Sequence, residues 1–237
     1  MTTIPATAYL TRVQLNPRSR EAARDLTDVQ NLHRRAMSLI PDQLGSADTR
    51  QAAGLLYRLE RTPRAHTLLL QSHAPLDLDA LPVGYALATD DRDLTHLLHW
   101  LTPGRAVRYR IDAQPYRSLP SPVDDRDTEG RRKRGTKIHI FGDDAIAWWH
   151  RKATQAGLTT TSGVLATQQP DVTGWKDDPR ETGKRIRIYG KRTRFEGTAT
   201  ITDPDALRTA ILQGVGRNRA YGAGLLSIAP STTPDFR

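Results

Sequence analysis

The chain has no cysteine among its 237 residues, which excludes disulfides and thiolate metal sites and fits a reducing compartment. It also lacks any stretch approaching the ~18 consecutive apolar residues of a membrane span, so no membrane partner is expected. No basic segment followed by an apolar run precedes the first periodic stretch; no secretory signal is expected, and a cytoplasmic location is. Acidic residues are the minority charge, 26 Asp and Glu against 35 Lys and Arg, for a formal net charge of +9. That excess says nothing about fold, but it favours a polyanionic partner. Arginine dominates the cations, which suits planar, bidentate phosphate recognition better than lysine would.

What is present is periodic and broken into short pieces. The length allows two compact domains of a little over ~100 residues each, or one large one. Tyr9, Thr11, Val13 and Leu15 alternate as a first strand, ended by Asn16-Pro17. A helix is predicted from Ser19 to Ile40. Leu55–Glu60 and His66–Gln71 read as a hairpin around Pro63. A short helical segment, Leu94–Leu101, leads through Pro103-Gly104 into a strand over Ala106–Ala113. The order β-α-β-β-α-β is a ferredoxin-like unit.

Pro115 to Gly135 is polar and proline-rich and reads as a linker. Beyond it the pattern returns. A strand over Lys137–Phe141 precedes a helix opening at Asp143-Asp144, whose carboxylates complement the helix dipole. A strand over Thr159–Thr167 and a polar excursion over Gln168–Lys184 follow, then strand segments Arg185–Tyr189 and Arg194–Thr202. Asp203-Pro204-Asp205 caps a helix ending near Gln213, and Leu225–Ile228 is the last strand. The expected fold is therefore α+β, two tandem ferredoxin-like domains with antiparallel sheets. The expected boundaries are residues 1–118 for the first domain, 119–135 for a basic linker, 136–230 for the second domain and 231–237 for a tail.

The densest signal is Gly214-Val-Gly-Arg-Asn-Arg-Ala-Tyr-Gly-Ala-Gly-Leu-Leu-Ser-Ile-Ala-Pro230. Gly214, Gly216, Gly222 and Gly224 bracket Arg217 and Arg219, joining a permissive backbone to guanidinium forks that match phosphate oxygens. A helix C-cap accounts for Gly214 but not for the rest. A dinucleotide loop fails, because such loops run from strand to helix and position 219 is not glycine. A polyanion-binding loop remains. Two further basic clusters stand out. Arg131, Arg132, Lys133 and Arg134 lie in the linker. Lys184, Arg185, Arg187, Lys191, Arg192 and Arg194 fill a stretch with no acid between Lys184 and Phe195, so these charges have no local compensation. Arg185 and Arg187 alternate with Ile186 and Ile188, giving one cationic and one apolar face that would suit a groove of double-stranded RNA. Trp175, in the polar excursion, stacks on a base or merely anchors its loop.

Histidine is the side chain naturally poised for proton transfer near neutral pH. His96 and His99 share a helix face but have no third ligand nearby, so no metal site is expected. His33 lies in a stripe with Leu26, Val29, Met37 and Ile40. A partly buried structural role and a role as general acid or base at a domain cleft are both open to it. A histidine on an inward face costs desolvation unless something there uses it.

These residues together resemble the CasE family, the repeat-processing endoribonucleases of type I-E CRISPR Cascade complexes. The likeness runs through Asn16-Pro17, Asp28-Val-Gln-Asn-Leu-His33, Leu55–Glu60 and Leu68–Ser72. It continues through Tyr109–Pro115, Ala147–Lys152, Phe195-Glu-Gly197 and the glycine loop, the most specific of these stretches. The resemblance implies the RRM-like, RAMP-type tandem fold and recognition of a CRISPR repeat hairpin. It further implies metal-independent cleavage of pre-crRNA at the 3′ base of the stem, leaving a 2′,3′-cyclic phosphate. It implies no cofactor, retention with the crRNA among other Cascade subunits, and no DNA contact by this chain alone. His33 matches the family's catalytic histidine, favoured as proton donor to the 5′-oxygen, and Arg219 falls where the loop carries a basic residue. Gln30 stands where the family often has tyrosine; an amide exchanges no proton near neutral pH, so Gln30 is expected only to orient a group. Asp112-Ala-Gln-Pro115 replaces the family's Arg-Ala-Asn-Pro. A non-catalytic crRNA-binding subunit of the same fold is the competing reading.

Overall fold

The alternating segment Tyr9–Leu15 forms strand β1, and its pairing organises the first sheet. The computed structural model describes residues 7–41, 49–121, 126, 130, 135–161 and 163–231. In it, β2 (Leu56–Arg61), β3 (His66–Ser72) and β4 (Ala86–Asp93) join β1 in the order β2-β3-β1-β4, with every neighbouring pair antiparallel. Helices α1 (Arg20–Thr27) and α2 (Val29–Met37) lie on one face. Ala22, Leu32 and Ala36 pack there against Val13, Leu15, Leu68 and Leu70.

The helix predicted over Ser19–Ile40 is two helices. Asp28 adopts an extended conformation (φ −135°, ψ 117°), and its side chain accepts from Gln30 N at 2.8 Å. An aspartate that caps the next helix competes with continuation of the previous one, so the chain turns there.

The fourth strand of this sheet is Ala86–Asp93, not the expected Ala106–Ala113. Its Thr-Asp-Asp-Arg-Asp sequence shows no alternation because, as an edge strand, it is exposed along nearly its whole length and is held by backbone bonds to β1. Helix α4 (Thr95–Trp100) follows it, after the short helix α3 (Thr49–Ala52) earlier in the chain.

Ala106–Ala113, β5, belongs to the second sheet. With β8 (Leu158–Thr160), β10 (Arg185–Ile201) and β11 (Ser227–Pro230) it forms the order β11-β5-β10-β8, and β9 (Leu165–Asp177) also pairs with β10. That is again the ferredoxin-like order, with its first strand upstream of the expected linker; a boundary at residue 118 cuts this sheet from its own central strand. The described part of the linker is the start of a hairpin, since β6 (Tyr116–Ser118) pairs with β7 (Lys137–His139). The polar excursion is also strand as far as Asp177: β9 and β10 make one long ribbon. Helices α5 (Gly142–Gln155) and α6 (Pro204–Gln213) cover the sheet, and Asp203 caps α6 through Asp205 N and Ala206 N, both at 3.0 Å. Trp149 stacks on Phe195 in this core, at 5.5 Å between ring centroids.

The two units are bonded to each other. Arg58 of β2, buried, donates to the carbonyls of Arg110 (3.2 Å) and Leu225 (3.0 Å) and to Ser227 Oγ (2.9 Å). Gln71 Nε2 donates to Ile211 O at 2.7 Å. The face of the first sheet away from its helices is thereby fastened to the second unit.

Candidate active site

Helix α2 has two working faces. Leu32 and Ala36 enter the first core, whereas Val29 packs with Val172 and Ile188 of the β9–β10 ribbon and with Tyr221. His33, one turn after Val29, follows it to this second face. Its ring meets Tyr221 edge-on, with centroids 5.7 Å apart and planes at 69°. The histidine on an inward stripe is thus turned toward the other unit. Gly174 makes the approach possible: a Cβ there would overlap Asp28 Oδ1 at the start of α2.

Burial lowers the His33 pKa below the usual histidine value, and Arg50 and Arg34 lower it further, against a smaller upward pull from a backbone hydrogen bond to Ala220. The imidazole is therefore neutral near neutral pH. His33 Nδ1 and Gln30 Oε1, one helical turn apart, are buried atoms with no hydrogen-bond partner among the described residues. Lying on the same helix, the two leave hydrogen-bonding capacity open for a ligand.

The glycine loop supplies the opposite wall. All four glycines take positive φ (76°, 85°, 80° and 90° from Gly214 to Gly224), and Asn218 joins them at 57°. Gly222 has a second constraint, since a Cβ would stand 2.7 Å from Tyr57 Cε2; only glycine lets the loop lie flat on β2. Several backbone N–H groups shape the loop itself: Val215 N donates to Gly224 O (2.9 Å), Gly224 N to Asp112 O (2.8 Å) and Tyr221 N to Asn218 O (2.9 Å). Asn218 Nδ2 donates to Gln114 Oε1, tying the loop to the end of β5. The resulting 3-10 turn, Arg219–Tyr221, aims Tyr221 at His33.

Arg219 Nη1 donates to Gln213 O at 2.6 Å, capping the end of α6. Arg50, on α3, donates to Leu55 O at 3.1 Å; burial and the neighbouring Arg219 both lower its pKa. Neither arginine has an acidic partner among the described residues. Two neighbouring guanidiniums without an acid beside a neutral histidine form a site that favours an anion. Arg217 is placed differently, exposed and 5.4 Å over the ring of Tyr116.

The remaining basic positions separate sharply. Arg185 and Arg187 are exposed on the ribbon face that carries Trp175 and Tyr189, with Arg187 opposite Trp175 across the strands. Ile188 on the other face is buried against α2, while Ile186 remains exposed. Lys184 pairs with Glu181 at 2.7 Å, and Lys191 lies 5.4 Å over Phe141. Arg192 and Arg194 do not join the cationic surface. Arg192 is buried beneath the glycine loop, near Tyr57. Arg194 makes a bidentate bond to Asp112 (2.7 and 3.0 Å) and an ion pair with Glu60 at 2.7 Å. The stretch without local acids is compensated from β5 and β2. Arg131, Arg132, Lys133 and Arg134 lie outside the described residues.

Arg50 and the side chain of Tyr221 escaped the sequence reading. Nothing around Arg50 marks it; only the fold brings α3 to α2. Tyr221 sat inside the recognised loop, but its neighbour was not legible without the turn.

Two ferredoxin-like units that set a histidine of one against a cationic, glycine-rich loop of the other define a RAMP-type protein. The sequence profile described as "CRISPR associated protein" matches residues 8–230. The chain belongs to that family, in its CasE branch. It is 29% identical over 232 residues to the CRISPR-associated endoribonuclease Cse3 of Thermus thermophilus, covering 94% of this chain and 100% of that one. It is 28% identical over 205 residues to the CRISPR system Cascade subunit CasE of Escherichia coli, covering 86% and 92%. The structure of Thermus thermophilus Cse3 bound to an RNA representing a pre-cleavage complex matches with a TM-score of 0.72 at 26% identity, over 94% of this chain and 100% of that one. Among the described residues no helix is long and apolar enough to cross a membrane.

Proposed function

We propose that this chain is an endoribonuclease that binds the hairpin of a CRISPR repeat, cleaves pre-crRNA at the 3′ base of the stem and remains with the product beside other Cascade subunits. The observation that carries this reading is the position of His33, held against Tyr221 with Arg50 and Arg219 close by. The substrate brings its own nucleophile. The 2′-hydroxyl attacks the adjacent phosphorus, the new O2′–P bond forms as the P–O5′ bond breaks, and the products are a 2′,3′-cyclic phosphate and a 5′-hydroxyl. This chemistry requires no metal-bound water. Arg50 and Arg219 offset the charge that gathers on the phosphate in the transition state.

The resemblance favours His33 as proton donor. Its buried, cationic surroundings point instead to a neutral ring that takes the proton of the 2′-hydroxyl. Gln30, lacking an exchangeable proton, orients the ribose, accepting from a hydroxyl through its unpartnered carbonyl oxygen. The exposed Arg185, Arg187 and Trp175 face of the ribbon is suited to the stem.

A labelled repeat hairpin incubated with the protein in EDTA tests this. Cleavage is expected to survive chelation, to leave a phosphatase-resistant 3′ end, and to disappear with His33→Ala or with a 2′-deoxy nucleotide at the scissile position. Binding without a cut by the unmodified protein would instead favour the non-catalytic subunit.

A further inference from the structure

The geometry points to Tyr221 as the second catalytic residue, the phenol that gives its proton to the departing 5′-oxygen. This assignment rests on the nuclease reading above and deepens it. Transesterification at phosphorus moves two protons, one off the 2′-hydroxyl and one onto the 5′-oxygen. A neutral His33 performs the first, and its remaining ring N–H is too weak an acid for the second unless the ring is recharged within the same step. Of the groups around it, Arg50 and Arg219 do not give up protons near neutral pH, and Gln30 has none to exchange.

Tyr221 meets three requirements. Its ring packs edge-on against the imidazole, 5.7 Å between centroids, which sets a phenol beside the base. It is fixed there by the 3-10 turn after Asn218 and by packing on Val29, Val172 and Ile188. Its hydroxyl has no hydrogen-bond partner among the described residues, and the residue keeps partial solvent access. Four other tyrosines have committed or hidden theirs. Tyr85 bonds Asp25 and Tyr189 bonds Asp171, while the Tyr57 and Tyr109 hydroxyls are buried. Burial raises the Tyr221 pKa as it lowers that of His33. Neighbours whose pKa values are pushed apart in this sense divide into an acid and a base. As the O2′–P bond forms, the 2′-proton passes to His33; as the P–O5′ bond breaks, the Tyr221 proton passes to O5′. Exchange with solvent then restores imidazole and phenol.

The test replaces the leaving atom. Single-turnover cleavage is measured on the ordinary hairpin and on one with sulfur bridging at the 5′ position, whose thiolate departs without a proton. Tyr221→Phe keeps the ring and its packing, so binding of a 2′-deoxy hairpin should stay within about twofold. On the oxygen substrate it should slow cleavage about 100-fold, the usual scale for loss of a general acid. On the sulfur substrate it should cut within about threefold of the unmodified protein, whereas His33→Ala should be slow on both. Tyr221→Phe slowed equally on both, or not slowed on the oxygen substrate, would overturn the assignment. Rescue of His33→Ala by sulfur would overturn it too, by making the histidine the acid. If the unmodified protein cuts neither substrate, the nuclease reading falls and the assignment with it.

Discussion

From Arg185 to Tyr189, strand β10 is half of a two-stranded ribbon, with Arg185 and Arg187 in solvent beside Trp175 and Tyr189. A few residues on it enters the sheet between β5 and β9, where Arg192 is buried and Arg194 is largely enclosed. One strand thus carries the same residue type into two environments. Where β10 runs beyond β5, its partner strand brings only Asp177, opposite Arg185, and Asp171, which Tyr189 bonds; neither makes an ion pair with Arg185 or Arg187. Where it enters the sheet, Asp112 sits directly opposite Arg194 and Glu60 reaches across from the first unit. The outer half can meet a polyanion, and the inner half fastens the two units that create the His33 site. A run of like charge is therefore not one feature: cross-strand register decides which cations are free.

The largest effect should come from the inner half. Arg194→Ala leaves Asp112, almost fully buried, and Glu60 short of a counterion. Removing one partner of a buried pair typically costs about 3–5 kcal/mol. Urea denaturation should show that loss, while Arg187→Ala on the outer half should stay within about 0.5 kcal/mol of the unmodified protein. Equal stability of the two variants would erase the distinction.

RNA binding should reverse the order. Trp175→Ala should cost the hairpin complex about 1–3 kcal/mol if the ring stacks on a base. Arg187→Ala should weaken binding and lower the slope of log K against log salt by about one, as for a single lost phosphate contact. Under conditions where it remains folded, Arg194→Ala should leave that slope unchanged. A lower slope for Arg194 than for Arg187 would place the contact surface on the wrong half.

Much of this fold was legible because its signals are local. Alternation marks β1, the turn at Pro63 marks the β2–β3 hairpin, and Asp203-Pro204 marks the start of α6. The units were harder to delimit, because sheet membership is a non-local property. Ala106–Ala113 reads equally well as the last strand of one unit or the first of the next, and the true fourth strand hides in an acidic, unalternating edge. The site divides in the same way. His33 and the glycine loop stood out as anomalies in otherwise ordinary patterns. Tyr221 and Arg50 had ordinary surroundings in sequence and gained meaning only from the seam. Arg192 and Arg194 differ from the sequence expectation for the converse reason: the loop that buries Arg192 and the counterions of Arg194 are distant in sequence and adjacent in space.

Glu60 gives the smallest and most specific test of the inner network. Burial pushes its carboxyl up, but Arg58, Arg194 and Arg110 together outweigh that and hold its pKa below the ordinary glutamate value. A carboxyl with a folded pKa below its unfolded one contributes stability that is fully present above the unfolded value, about 4.3, and is lost as pH falls through the folded value. In Glu60→Gln that contribution is already absent, although the amide still accepts a hydrogen bond from Arg58. Denaturation midpoints of the two proteins should therefore differ by a constant amount above about pH 5 and converge as the pH falls below about 4. The difference should be smaller than that of Arg194→Ala, because losing Glu60 leaves Arg194 paired with Asp112 and leaves Arg58 its bonds to Leu225 O and Ser227 Oγ. A gap that persists unchanged into acid would mean that Glu60 acts through packing, and that the inner cations are held by Asp112 alone.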